Sequence, residues 1–76
     1  MRELVEFLVR SLVSEPDEVS VEEVFEDDDL VLEVSVGDED IGRVIGRGGR
    51  IAHALRSVAR AAGAREDRRV IVEILE

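Results

Sequence analysis

Near the start of the chain Leu4, Leu8 and Leu12 recur every fourth residue, with Val5 and Val9 beside them and Arg2, Glu6 and Arg10 on another side. That spacing predicts an amphipathic helix over 2–13 with one apolar stripe. Ser14-Glu15-Pro16-Asp17 ends it, because proline cannot continue the hydrogen-bond ladder and biases the residue before it away from helix. The period then changes. Val19 and Val21 alternate with polar residues over 18–25, and Val24 and Phe25 follow. Over 30–36, Leu30, Leu32, Val34 and Val36 share one face, opposite Val31, Glu33 and Ser35. Two such runs around Glu26-Asp27-Asp28-Asp29 predict an antiparallel hairpin with a charged turn. Phe7 and Phe25 are expected in the core.

Gly37 closes the second strand, and Asp38 is placed to cap a short helix over 39–45, with Glu39 and Asp40 in its first turn. Ile41, Val44 and Ile45 give that helix an apolar side. A glycine turn over 46–49 follows, then a second helix over 50–62. Its apolar positions come in pairs, Ile51/Ala52, Ala54/Leu55, Val58/Ala59 and Ala61/Ala62, while Arg50, His53, Ser57 and Arg60 lie opposite. Gly63 fits a C-cap. A polar loop, Ala64-Arg65-Glu66-Asp67, leads to a last strand from Arg68 to Leu75. The order is α-β-β-α-α-β, an α+β chain.

Seventy-six residues make a single domain, 1–76, with a small core. With no cysteine and one histidine, neither disulfides nor a metal cage can staple it, so aliphatic packing must suffice, helped by self-association or a partner subunit. No apolar run approaches the roughly 20 residues that span a bilayer, and Met1-Arg2-Glu3-Leu4 lacks the layout of a secretory signal. A cytoplasmic protein with no membrane partner is the expectation. The net charge of −9 argues at first against a nucleic-acid partner. The average conceals an asymmetry: residues 1–40 hold two arginines and fifteen acids, whereas 41–76 hold eight arginines and four acids. Within 41–60, Arg43, Arg47, Arg50, Arg56 and Arg60 stand with no acid among them. Charges more than about 8 Å apart are largely screened at physiological salt, so a local basic face survives the total.

That basic stretch contains Ile41-Gly42-Arg43-Val44-Ile45-Gly46-Arg47-Gly48-Gly49-Arg50-Ile51. Gly46 and Gly49 can take positive φ, and a bare Gly48 lets a ligand touch backbone. A turn feeding a helix N-terminus presents amides and a partial positive charge, which suits phosphate. Arg43, Arg47 and Arg50 flank it with guanidinium forks. Beside it, Ile41, Val44, Ile45 and the strand 30–36 are expected to form an apolar groove for unstacked bases.

The stretch Val44-Ile45-Gly46-Arg47-Gly48-Gly49 resembles the GxxG core of KH domains, and the element order resembles their type II arrangement. That implies a three-stranded mixed sheet packed against three helices. Length, the opening Arg2-Glu3-Leu4-Val5-Glu6-Phe7 and the ending Arg69-Val70-Ile71-Val72-Glu73-Ile74 resemble the small bacterial single-KH proteins of the KhpA family. The resemblance implies a clamp on about four backbone nucleotides of single-stranded RNA, a role as RNA chaperone or post-transcriptional regulator, homodimers, and often a Jag-type KH partner. It places the clamp on Gly46, Arg47, Gly48 and Gly49 and the groove on Ile41, Val44 and Ile45. Two departures stand out: Ile51 and Ala52 where the family usually has Thr then Ile, and His53 where lysine is common, which implies a weaker or pH-dependent phosphate contact there.

Other chemistries fit badly. A nucleotide-binding P-loop requires a lysine that is absent. A dinucleotide fingerprint starting at Gly46 would need glycine where Ile51 stands. One histidine, no cysteine and no base near a serine assemble no triad, so no enzyme and no cofactor is expected. Without Tyr or Trp, aromatic stacking platforms are excluded as the main device. The acids 26–29 read as a solvated turn, and no metal site is assigned. Two alternatives stay open: a helix–hairpin–helix module on duplex DNA, and a dimerisation module that pairs with another KH protein.

Overall fold

The computed structural model describes residues 1–76, the side chain of Arg47 excepted. Helix α1 covers Arg2–Leu12, a single 3-10 turn covers Pro16–Glu18, and strands β1 (Ser20–Glu26) and β2 (Asp29–Ser35) follow. A long helical stretch, α2, covers Asp38–Ala64, and strand β3 covers Val70–Ile74. Within α2 the chain turns at Gly48 (φ +73) and Gly49 (φ +72), which splits the stretch into two arms, 38–47 and 50–64. With α1 and the two arms of α2 as three helices, the order is α-β-β-α-α-β, the type II KH arrangement.

The sheet runs β1-β2-β3, antiparallel between β1 and β2 and parallel between β2 and β3. In the hairpin Glu26 pairs with Asp29, so the turn is only Asp27-Asp28, with Asp27 at φ +56. Aspartate tolerates that left-handed conformation better than most residues. Alternation puts Val21, Leu30, Leu32, Val34, Val70 and Val72 on the face that the helices cover, where they meet Val5, Val9, Leu55 and Ala59 in one cluster.

Four expectations change. The stripe α1 buries is Val5 and Val9, while Leu4 (42% exposed) and Leu12 (43%) lie at its margins. Phe7 is 68% exposed and Phe25 61%, so neither belongs to the core. Phe7 stands two residues from Val5, about 200° round the helix, and so points away from the sheet. Phe25 sits in the last three-stranded row of the sheet with Leu30 and Val70, where its cover is the Arg68 guanidinium, 5.1 Å from the ring centre. Asp38 does not cap α2; Gly37 holds that position without a side-chain bond. Gly63 is no C-cap either, since α2 continues to Ala64. A Cβ at Gly63 would lie 2.6 Å from the Arg68 carbonyl oxygen and 2.6 Å from Val70 Cγ2. Glycine is there so that the end of α2 can touch the start of β3. Its carbonyl accepts the Glu66 and Arg68 amides, both at 2.9 Å.

Gly63→Ala forces backbone and Val70 apart, and urea unfolding should show a loss of about 1–3 kcal/mol, the range for overpacking a core. A loss below the error of the measurement would show that this contact yields freely.

Candidate nucleic-acid interface

The bend between the α2 arms is the feature the sequence singles out, and its backbone lies at the surface. Gly48 is exposed, Gly46 and Gly49 are half-buried, and a Cβ built at Gly42, Gly46 or Gly48 would meet nothing within 4 Å. The left-handed residues are Gly48 and Gly49, not Gly46 and Gly49 as expected: Gly46 lies within the first arm with helical backbone, and the turn begins two residues later. The His53 ring lies 3.5 Å from where a Gly49 Cβ would stand, so an exposed histidine flanks the bend one helical turn on.

Around the bend Arg43 and Arg50 are exposed, and both line an open cleft of about 410 Å3 with Gly42, Gly46 and Ile51. Arg43 Nε stays 3.9 Å from Asp40 Oδ1, a long contact between a half-exposed guanidinium and a buried carboxylate. The Arg47 backbone is part of the bend, and its side chain lies outside the described residues. Among the described residues, no side-chain carboxylate bonds to the amides of 46–50.

The expected groove residues separate. Ile41 is half-buried and Ile45 is 37% exposed, whereas Val44 is fully buried and packs beneath the surface. The strand wall differs as well. β2, expected beside the groove, is the central strand, and the strand whose open edge accompanies the second α2 arm is β3. Arg56 Nε donates to the Val72 carbonyl across that seam at 3.4 Å.

Sequence reasoning missed what holds the first arm in place. Asp40 is wholly buried, and its carboxylate accepts the Ser14 amide (2.9 Å), the Ser14 hydroxyl (2.9 Å) and the Glu15 amide (3.1 Å). It ties the end of α1 to the start of α2. A signal was present, since Asp40 and Val44 are four residues apart on one stripe. The Ser14 amide bond foremost, then the Ser14 hydroxyl and Glu15 amide, hold the Asp40 carboxyl below its ordinary 3.8 against the upward push of burial. Beside it, the hydrogen bond to Glu39 and then the Glu39 charge raise the Glu15 carboxyl above its ordinary 4.5.

The two shifts act oppositely on stability. A depressed carboxyl stabilises the fold above its unfolded value, and that contribution disappears as pH falls through the folded one. A raised carboxyl favours the protonated folded form, a contribution present in acid and lost as pH rises. Asp40→Ala should therefore lower the urea midpoint at pH 7 and remove much of the acid-induced loss below about pH 3.8. Glu39→Gln should raise the midpoint at pH 7, with the gain vanishing below about pH 4.5. Parallel pH profiles for all three proteins would disprove both assignments.

Residues 2–74 match the family model described as KhpA/KhpB, KH domain. The chain is 48% identical over 75 residues to the RNA-binding protein KhpA of Clostridium perfringens, covering 99% of this chain and 100% of the relative. Against the RNA-binding protein KhpA of Clostridium acetobutylicum the identity is 49% over 75 residues, with the same coverage. The KhpA of Halalkalibacterium halodurans is 45% identical over 76 residues, covering all of both chains.

Proposed function

Because the chain belongs to the KhpA/KhpB KH-domain family, we propose that it binds single-stranded RNA in the cytoplasm as one non-enzymatic KH domain, serving as an RNA chaperone or post-transcriptional regulator. Backbone amides of 46–50 and the arginines Arg43, Arg47 and Arg50 hold phosphates, His53 stands beside them, and bases lie against Ile41, Ile45 and the β3 edge. The observation that carries this is the left-handed Gly48-Gly49 bend, exposed and bare of neighbouring atoms at Gly48 and flanked by the exposed Arg43 and Arg50. A close approach of the nucleic-acid backbone needs that bareness. Helix–hairpin–helix binding of duplex DNA also uses glycines between helices, and competition between single-stranded RNA and duplex DNA in a gel separates the two.

Joint replacement of Arg47 and Gly48 by aspartate should reduce RNA affinity to background while circular dichroism reports a folded chain. An aspartate held at Gly48's φ of +73 costs about 1–2 kcal/mol, so some stability is lost with binding. If three phosphates are neutralised, the logarithmic salt slope on single strands should be about −2. Undiminished binding by the folded double variant would remove the clamp.

Self-association has its own support. Leu4, Phe7 and Leu12 are exposed along α1, with the Phe7 ring two-thirds in solvent. A second copy of this chain, or a Jag-type KH partner, is the occupant proposed for that face. Sedimentation should show a dimer that Phe7→Arg converts to monomer with RNA binding retained; a wild-type monomer at all concentrations would end this part of the proposal.

A further inference from the structure

Away from the bend, at the far end of the second α2 arm, four arginines converge. An open pocket of about 470 Å3 is lined there by Arg56 and Arg60 from α2, Arg68 and Arg69 from the loop before β3, and the Val70–Val72 stretch, with no carboxylate in its wall. The partners these arginines have within the chain are weak. Arg56 gives its Nε proton to the neutral Val72 carbonyl, Arg68 lies over the Phe25 ring, and Arg69 stays 3.8 Å from Asp29 while 74% exposed. Arg60 has no ion pair or side-chain hydrogen bond among the described residues. In a chain with 19 acids and 10 arginines, four guanidinium groups with only Asp29 near one of them leave a locally positive patch.

The pocket and the bend share one wall. The second arm runs antiparallel to β3, since Arg56 meets Val72 while Gly63, farther along the helix, meets Val70. At 1.5 Å per residue, Arg56 lies about 10 Å and Arg60 about 17 Å along the axis from Gly49. A strand leaving the bend along the β3 edge therefore reaches the arginines, with Val70 to Val72 as its apolar side. Forked donors there suit phosphate oxygens.

We propose that this arginine pocket binds phosphates of the same RNA strand beyond the roughly four nucleotides held at the bend, so that the full site is longer than one KH clamp. This rests on the clamp reading, and the experiment keeps the two apart. Fluorescence anisotropy is measured with randomised RNA tetramers and decamers over a series of salt concentrations, for the wild type and Arg56→Gln/Arg60→Gln. The wild type should bind decamers about tenfold or more tightly than tetramers, with a salt slope steeper by about 1.4 if two further phosphates are neutralised. The variant should match the wild type on tetramers and lose both the affinity gain and the added slope on decamers. The loop variant Arg68→Gln/Arg69→Gln should do the same without altering α2. A decamer advantage with unchanged slope, or one that both folded variants keep, reflects only the extra registers of a longer strand and overturns the proposal. Tetramer binding with no decamer advantage overturns it while sparing the clamp. Failure to bind either RNA overturns both.

Discussion

A helix of 27 residues cannot lie straight on this molecule. At 1.5 Å per residue α2 would extend about 40 Å, beyond the longest dimension of the whole chain, 34 Å. Val44 on the first arm and Leu55 and Ala59 on the second are all buried, so both arms pack against the rest of the chain. Gly48 and Gly49 supply two consecutive left-handed residues. With side chains at both, the conformation would cost about 2–4 kcal/mol, comparable to the whole margin of a domain this small. Packing therefore requires glycines at the bend, and the same glycines leave bare backbone at the surface. Asp40 completes the constraint by fixing the first arm to the end of α1, so the bend has one direction to take.

Charge is sorted by the same architecture. Glu22, Glu33 and Glu73 are cross-strand partners, and by alternation they lie on the sheet face opposite the helices. Like charges side by side weaken a sheet, and the chain tolerates them where solvent screens them. The arginines of 41–60 are on α2, across the sheet from that row. The molecule measures 22 Å by 19 Å in its shorter dimensions, more than twice the screening length of about 8 Å. An overall charge of −9 thus leaves the 41–60 stretch of α2, and the pocket it shares with β3, locally basic.

Much of this was legible in the sequence because local periodicity and glycine spacing reflect local causes. Both helical arms, the hairpin, the final strand and the bend between arms follow from patterns within fifteen residues. What escaped depends on contacts between distant segments. Phe7 and Phe25 are apolar, yet which side of α1 and which row of the sheet finds cover is decided by docking. Gly63 looks like a helix terminator in one dimension and serves as a contact point with Arg68 and Val70 in three. The groove wall was assigned to β2, since strand order is invisible until the parallel pairing of β3 makes β2 central. Asp40 was read as a helix-start charge because its donors, Ser14 and Glu15, lie some 25 residues away.

At the bend, packing and the proposed recognition depend on the same glycines, whereas the flanking arginines are open to substitution. The glycines carry both burdens: their backbone angles let the arms pack, and the missing side chain at Gly48 leaves the bare backbone that the proposed clamp uses. No replacement at Gly48 or Gly49 touches one without the other. Arg43 and Arg50 take no part in that packing, whereas Arg56 also ties the second arm to β3 through the Val72 carbonyl. Arg43 and Arg50 are exposed, Arg43 has only a long contact with Asp40, and Arg56 and Arg60 lie on the β3 side of α2 rather than beneath it. On the proposed reading, exposed arginines such as Arg43, Arg50 and Arg60 can therefore be replaced to adjust RNA affinity while the fold stays constant. The bend itself offers no such freedom, because the helix that it turns is longer than the protein.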